Sequence, residues 1–126
     1  MRIIYPKSTR KQKLGRRSDE RWHLTRILLT QLVTHERIST TSAKAKFLRP
    51  TAERLLKKAR QISLEGRDDL RHEVYRVLTT QEAREKLINV IGPRLEGRSG
   101  CFTRIKFLKY RMGDRAPVSF IEIHGK

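Results

Sequence analysis

Seven apolar residues in one basic segment recur three or four positions apart, as they do on the buried face of an α-helix. They are Ala45, Leu48, Ala52, Leu55, Leu56, Ala59 and Ile62. Seven cations, Lys44, Lys46, Arg49, Arg54, Lys57, Lys58 and Arg60, share the segment with the single acid Glu53. The pattern predicts a long helix, capped by Thr41 or Ser42, that packs on a core and exposes a positive surface. Pro50 predicts a kink or a restart of this helix, because proline removes an amide donor.

A second helical pattern begins at Ser18, which is expected to cap the helix, with Asp19 and Glu20 at the positive end of its dipole. Its predicted inward stripe is Leu24, Ile27, Leu28, Gln31 and Leu32, with Arg21, Thr25 and Arg26 at the flank. Two shorter helices are predicted later in the chain. Asp68 or Asp69 is expected to cap the first, which packs through Leu70, Val74, Val77 and Leu78. Thr79 and Glu82 have capping-box spacing for the second, which packs through Leu87, Ile88 and Ile91 and ends at Gly92 and Pro93.

Near residue 103 the apolar pattern changes from helical to alternating. Thr103, Ile105 and Phe107 are predicted to face the helices, and Arg104, Lys106 and Leu108 the opposite side. A turn at Gly113 and Pro117 leads to a second strand at residues 118–123, which predicts a hairpin. With a brief strand at residues 37–40, the expected fold is α+β: a small sheet of about three strands packed with four or so helices.

The balance of charge narrows the choice of partners. The chain has 126 residues, enough for one ordinary domain, with 30 Lys and Arg against 13 Asp and Glu and a net charge of +17. Such self-repulsion indicates that a polyanion is the normal environment, with nucleic acid first and an anionic membrane surface second. No apolar run approaches the roughly 18 residues of a membrane-spanning helix, so no membrane span is predicted.

The first 17 residues carry seven positive charges and no acid. Because this segment has almost no apolar periodicity, it cannot bury enough surface to order itself. We therefore predict a basic arm at residues 1–17 that becomes ordered on a polyanion, followed by a single globular domain at residues 18–126. A tail that only increases solubility is the alternative interpretation.

Residues that carry chemistry are sparse and scattered. His23, His35, His72 and His124 fall in different predicted elements, and Cys101 is the only cysteine, so no metal site or disulfide is expected. Adjacent acids such as Asp68 and Asp69 sit where helix caps place them. The sequence predicts that the chain is not an enzyme and has no cofactor or small-molecule substrate.

Four blocks of the chain read "LGRRSDER", "LVTHERISTTSAKAKFLR", "GPRLEGRSGCFTRI" and "GDRAPVSFIEI". These blocks resemble the bacterial-type large-subunit ribosomal proteins of the L-seventeen family. They occur in the family's order and spacing, from about Lys13 to Ile123. The chain departs from the family pattern at Glu20, Cys101 and Phe102, and Pro50 stands where an ordinary helix former is expected. The resemblance implies a non-catalytic constituent of the large ribosomal subunit, near the outer mouth of the polypeptide exit tunnel. Its implied partners are ribosomal RNA and neighbouring proteins.

The candidate rRNA-binding residues combine the basic clusters with the residues matched to the family. They are Lys7, Arg10, Lys11, Lys13, Arg16, Arg17, Arg21, Arg26, Arg37, Thr40, Thr41, Lys44, Lys46, Arg49, Arg94, Arg98, Arg104, Lys106, Lys109 and Arg111. Such cations contact phosphates and set register more than they read sequence. Only Phe102 and Tyr110 lie among the C-terminal charges as stacking candidates, which favours folded RNA recognised by shape.

Two other functions stay open at the level of sequence. A DNA-compacting or other architectural nucleic-acid-binding protein would have the same charge balance, and an RNA-processing enzyme would need clustered acids or histidines. For location, the basic and divergent chain favours a mitochondrial ribosome, with the bacterial cytoplasm or a plastid as alternatives.

Overall fold

The computed structural model of the protein describes residues 14–124. Within them the elements follow the order α1 (Ser18–His35), β1 (Arg37–Thr41), α2 (Ser42–Glu65), α3 (Arg71–Val77), α4 (Gln81–Lys86), α5 (Gly92–Arg94), β2 (Thr103–Tyr110) and β3 (Pro117–Ile123). A 3₁₀ turn at Asp68–Leu70 precedes α3, and a π-helical turn at Leu87–Ile91 joins α4 to α5. The predicted α+β class is confirmed.

The three strands form an antiparallel sheet in the order β1-β3-β2. Ile121 in the central strand lies opposite Ile38 on one side and Ile105 on the other. These three residues mark the face of the sheet that belongs to the main hydrophobic core. Both the predicted hairpin and the predicted strand around Ile38 are therefore confirmed, and β1 extends one residue further than predicted, to Thr41.

The long helix α2 supplies the largest share of the core. All seven apolar residues predicted for its inner face are buried: Ala45, Leu48, Ala52, Leu55, Leu56, Ala59 and Ile62. Thr41 caps the helix, since its hydroxyl accepts the amide hydrogen of Lys44. Gly66 ends it at a φ of 67°, a left-handed conformation that glycine adopts without a steric penalty. Because α2 is continuous from Ser42 to Glu65, the predicted restart at Pro50 is wrong.

Helix α1 is rotated relative to the predicted stripe. Thr25, predicted at the flank, is fully buried, whereas Gln31, predicted inside, is exposed. The Thr25 hydroxyl donates to the carbonyl of Arg21 (2.8 Å), so a polar residue enters the core without an unpaired group. The predicted cap is also one residue off: Arg17 precedes the helix, and its backbone amide donates to the Glu20 carboxylate (3.4 Å).

The starts of the shorter helices also differ from prediction. Thr80, and not Thr79, caps α4 by accepting the Ala83 amide. The Thr79 amide donates instead to the buried hydroxyl of Thr30 (3.1 Å). Asp68 and Asp69 lie inside the first turn of the 3₁₀ segment, where they suit the helix dipole without capping it.

The Gly92-Pro93 pair predicted the end of the helix, but the helical segment continues through Gly92. Gly92 has a helical φ of −53° and begins the last turn, α5. A Cβ at this position would lie 2.9 Å from the carbonyl oxygen of Ala59 in α2, so glycine permits the two helices to approach closely. The Gly92 amide donates to Leu87 and Pro93 has no amide hydrogen, which leaves the Ile88 carbonyl without either helical donor. The Ser63 hydroxyl donates to that carbonyl instead (2.6 Å).

The far half of β2 extends beyond the cover of the helices. Thr103 is buried and Ile105 is half-buried, but Phe107 is 55% exposed and Tyr110 is 66% exposed. The prediction that Phe107 packs on the helices is therefore wrong. Alternation identified the correct face of the sheet, but the helical layer does not reach that end of it.

Candidate nucleic-acid interface

The strand register collects four predicted RNA-binding cations on the sheet face that points away from the core. Arg104 lies opposite Glu122, Lys106 opposite Phe120, and Lys109 opposite Val118 in β3. Arg37 in β1 also lies opposite Glu122, which adds it to the same face. We call Arg37, Arg104, Lys106 and Lys109 the basic sheet face.

A β-bulge between Phe107 and Lys109 is responsible for the position of Lys109. Strict alternation would place Lys109 on the core side with Ile105. The bulge adds Leu108 without a partner in β3, and the strand beyond it changes face. As a result Lys109 lies on the same sheet face as Lys106. Alternation had predicted Leu108 on that face, but Leu108 is the unpaired residue of the bulge.

The basic sheet face contains residues that are already paired and residues that are not. The Arg37 guanidinium lies over the ring of Phe120, with its central carbon 3.7 Å from the ring centroid, and Arg104 forms an ion pair with Glu122. Lys106 and Lys109 are exposed and have no ion pair within residues 14–124. Both ammonium groups are therefore available to an external anion.

Helix α2 presents a second set of cations on its outer side. Lys46, Arg49 and Lys57 are exposed, and none of them forms an ion pair with another residue in the described part of the chain. Lys44 is half-buried in the first turn of the helix, and its amide donates to the hydroxyl of the Thr41 cap. Thr40 and Thr41, also predicted as RNA contacts, are half-buried where β1 runs into the helix.

Glu53, the single acid between Lys44 and Arg60 in α2, has a structural role that the sequence did not reveal. Its carboxylate accepts the backbone amides of Phe102 (3.0 Å) and Thr103 (2.8 Å) and the Thr103 hydroxyl (2.6 Å). These bonds fix the start of β2 against the middle of α2. The one available signal was a lone acid among the cations from Lys44 to Arg60, and that signal does not identify its partner 49 residues away.

Arg94 differs from these cations because its guanidinium is engaged inside the protein. It donates to both carboxylate oxygens of Glu36, at 2.6 and 3.2 Å. Lys86 forms a further ion pair with Glu36 (3.2 Å) and donates to the Thr34 carbonyl (2.7 Å). Glu36 itself is buried and has a left-handed φ of 63° at the end of α1. The hydrogen bond from Arg94 lowers the pKa of Glu36, against the opposing effect of its burial.

The arginines near the start of α1 also make contacts within the protein. Arg16 donates to the Leu14 carbonyl (3.0 Å), Arg21 to the Arg16 carbonyl (2.7 Å), and Arg26 to the Val77 carbonyl (3.4 Å). Arg17 is exposed and lies within 3.4 Å of the Glu20 carboxylate. Lys7, Arg10, Lys11 and Lys13 lie outside the described residues, so their predicted contacts stay predictions.

In the loops that flank β2, Arg98 and Arg111 are both exposed. Arg98 donates to the Cys101 carbonyl (3.4 Å) across the bend before the strand. Arg111 forms an ion pair with Asp114 (2.5 Å) in the hairpin turn. The hydrogen bonds that the Asp114 carboxylate accepts, first from the Arg111 side chain and then from the Ala116 amide, lower its pKa to about 2.

Within residues 14–124, no group of histidine, cysteine and acidic side chains is arranged to hold a metal ion. No helix in the same residues combines the length and apolar character that crossing a bilayer requires.

Comparison with known proteins gives one consistent result. The family model described as Ribosomal protein L17 matches residues 24–124. The chain is 43% identical over 111 residues to the large ribosomal subunit protein bL17 of Thermomicrobium roseum, an alignment that covers 88% of this chain and 92% of that protein. It is 42% identical over 114 residues to the protein of the same name from Shouchella clausii, covering 87% and 95%. The chain belongs to the ribosomal protein L17 family.

Three of the blocks that resembled the L17 family meet in the structure. Glu36 from "THERIST" and Arg94 from "GPRLEG" form the bidentate ion pair described above. The backbone carbonyl of Glu36 also accepts the amide of Ile123, at the end of the block "GDRAPVSFIEI". Residues distant in sequence thus join α1, α5 and β3.

Proposed function

We propose that the protein is a structural constituent of the large ribosomal subunit that binds folded rRNA near the polypeptide exit tunnel. Three facts support this: membership of the L17 family, the names of the bL17 relatives, and a net charge of +17. A ribosome is the polyanionic environment in which that charge is neutralised. The proposed role is non-catalytic.

The observation that carries the proposal is a set of exposed cations without ionic partners in the described chain. Lys46, Arg49 and Lys57 lie on α2, and Lys106 and Lys109 lie on the basic sheet face. Because they occur on different elements, they suit the phosphates of a folded RNA that surrounds the domain. Their contacts give affinity and register and require no base sequence.

The basic arm at residues 1–17 extends the same proposal. Its charge precedes α1, and we assign it to rRNA segments that the globular domain does not reach. Neighbouring large-subunit proteins are proposed as further partners, in line with the position near the exit tunnel that the family resemblance implies. Deletion of residues 1–13 should weaken incorporation into the subunit and leave the thermal unfolding of the free protein unchanged. A large loss of thermal stability would place those residues in the fold.

The proposed compartment is that of a bacterial-type ribosome. The relatives named above come from bacteria, which supports a bacterial cytoplasm. The mitochondrial location predicted from the sequence stays a prediction, as does a plastid. Fractionation of the source cells into organelles and ribosomal subunits distinguishes the three locations.

Salt dependence tests the proposed mode of binding. The dissociation constant for a structured large-subunit rRNA fragment should rise by about one power of salt concentration for each phosphate that the protein neutralises. A flat salt response would contradict phosphate contacts. Equal affinity for duplex DNA of matched length, together with release from the large subunit in a high-salt wash, would favour a DNA-compacting protein instead.

A further inference from the structure

The end of the β2–β3 hairpin exposes four large apolar side chains. Phe107 is 55% exposed, Leu108 46%, Tyr110 66% and Met112 96%. Elsewhere in the described chain the large exposed apolar residues Ile27, Leu64 and Val90 belong to separate elements. Single exposed apolar residues are common on protein surfaces, whereas several of them at one hairpin end indicate a binding surface.

The β-bulge arranges the two aromatic rings of this cluster. Phe107 lies opposite Ser119 and Tyr110 opposite Pro117, and these two β3 residues are on the same face of the sheet. Phe107 and Tyr110 therefore share a face although they are three positions apart. Their ring centroids are 5.1 Å apart and the rings meet edge to face at 62°. Both residues belong to β2, and the contact between their rings restricts the orientation of each side chain.

Cations lie on the other face of the strand that carries the rings. Lys106 and Lys109 precede Phe107 and Tyr110 in β2 and belong to the opposite, basic sheet face, and Arg115 lies in the hairpin turn. Because β2 is an edge strand of the sheet, both of its faces meet at that edge. The only acid in that turn, Asp114, is bound by Arg111 and accepts the Ala116 amide. An acidic partner is therefore favoured at this end of the hairpin, and one that also offers flat apolar groups fits best.

We propose that the hairpin end is a stacking platform for unpaired RNA nucleotides. Tyr110, supported by Phe107, contacts the face of a base on one side of the edge strand β2. Lys106 and Lys109 on the other side of that edge, and Arg115 in the turn, bind phosphates of the RNA strand as it passes around the edge. The inference rests on the proposed function and adds to it a class of RNA: a bulge, internal loop or single-stranded segment in place of a regular duplex. Sequence reasoning counted Phe102 as a stacking candidate, but Phe102 is buried and Phe107 takes that role.

Unpaired nucleotides match this surface better than paired ones do. In an RNA duplex the bases stack on each other and their faces are not accessible, so aromatic side chains gain nothing from it. The faces of unpaired bases are free, and every base has one, so stacking of this kind tolerates different sequences. The platform therefore predicts a preference for RNA conformation and little preference for base identity.

The test compares two labelled RNAs of equal length and charge, one fully paired and one with a central four-nucleotide internal loop. Full-length protein is titrated with each RNA. The variant Tyr110→Leu keeps an apolar side chain and removes the ring, Tyr110→Phe keeps the ring, and Lys109→Gln removes a charge. Thermal unfolding of each variant is measured in parallel, and all should remain folded because both side chains are exposed.

We expect Tyr110→Leu to weaken binding of the looped RNA by about 5- to 150-fold and binding of the paired RNA by less than about twofold. Tyr110→Phe should bind both as the unchanged protein does, and Lys109→Gln should weaken both equally. An equal effect of Tyr110→Leu on the two RNAs, or no effect on either, overturns the platform. Failure of Tyr110→Leu to enter the subunit with unchanged RNA binding also overturns it and assigns the hairpin end to a protein partner. If the unchanged protein binds neither RNA, the proposed function itself fails.

Discussion

Each arginine among the helices and each lysine on the β2–β3 hairpin adds one positive charge, but the two kinds of residue have different environments. In the body, Arg94 grips Glu36, and Arg84 donates to the carbonyls of Tyr75 (2.8 Å) and Leu78 (2.9 and 3.1 Å). On the hairpin, Lys106 and Lys109 are exposed without an ionic partner in the described chain. These positive charges are therefore of two kinds: one is engaged within the fold, and the other remains free for an external anion, which we propose is RNA.

The two side chains suit these roles chemically. A guanidinium offers five donors in a rigid planar fork, which matches a carboxylate or several carbonyls at helix ends. An ammonium is a compact charge on a flexible stem, which suits phosphates whose positions are not fixed by the protein alone. The distinction is not absolute, since Lys86 binds Glu36 and Arg49 is exposed. It nevertheless gives the predictions below their direction.

The largest expected difference is between two phenylalanines five residues apart. Phe102→Ala removes a ring that is 2% exposed and should reduce the free energy of unfolding by about 3 to 5 kcal/mol. Phe107→Ala removes a ring that is 55% exposed and should cost less than about 1 kcal/mol, mainly through lost contact with Tyr110. Urea unfolding of both variants measures the difference. Equal losses would show that the hairpin end is packed like the body.

The next largest effect concerns Arg94. Arg94→Gln should reduce the free energy of unfolding by about 2 to 3 kcal/mol, because the buried Glu36 carboxylate loses a bidentate partner. Arg94→Lys should recover only part of this loss, since an ammonium cannot donate in the same paired geometry. Arg49→Gln is the matched control at an exposed position and should change stability by less than about 0.5 kcal/mol. If Arg94→Gln is fully stable and loses RNA affinity, Arg94 is an RNA contact after all.

A smaller effect is expected in how the free energy of unfolding changes at acidic pH. The pKa of Glu36 in the folded protein is below its ordinary value of 4.5, chiefly because Arg94 donates to it. The resulting stabilisation is complete above pH 4.5 and is lost as the pH falls through the lowered folded value. Stability measured by urea unfolding should therefore fall less steeply on acidification in Glu36→Gln than in the unchanged protein. Asp114→Asn should remove a different part of the acid slope, at pH values below the ordinary Asp114 pKa of 3.8, because the pKa of that carboxyl is lowered to about 2 in the folded protein.

Local patterns predicted most of the fold, and the errors have identifiable physical causes. The α2 stripe and the three strands were predicted because burial of one face imposes a period of 3.6 or 2 on the sequence. Alternation failed at Leu108, where a bulge changes the face of the strand, and it gave no information about where the helical layer ends. Thr25 was placed outside because its hydroxyl is polar, although the Arg21 carbonyl satisfies that hydroxyl inside the core.

The candidate site was predicted as a list of cations. The sequence alone could not show which of them are paired within the protein and which are free. The pairing of Arg94 with Glu36 spans 58 residues, and the binding of Glu53 to the backbone at Thr103 spans 50. Such contacts depend on the tertiary fold and leave no periodic signal. The structure separates Arg94 from Lys106 by the presence or absence of a partner, and the functional consequence of that separation stays a prediction.

The smallest effect on stability is expected for the free lysines of the basic sheet face. The double variant Lys106→Gln with Lys109→Gln keeps similar side-chain lengths and breaks no ion pair in the described chain, so the free energy of unfolding should change by less than about 0.5 kcal/mol. Its affinity for structured rRNA should nevertheless fall. The slope of log affinity against log salt concentration should decrease by about two, because each lysine that binds a phosphate releases condensed counterions. Arg94→Gln, measured in the same titration at a temperature where it is folded, should keep the full salt dependence. An unchanged salt dependence in the double lysine variant would mean that the unpaired cations of the sheet do not contact RNA, and the division between structural and binding charges would then have to be drawn elsewhere.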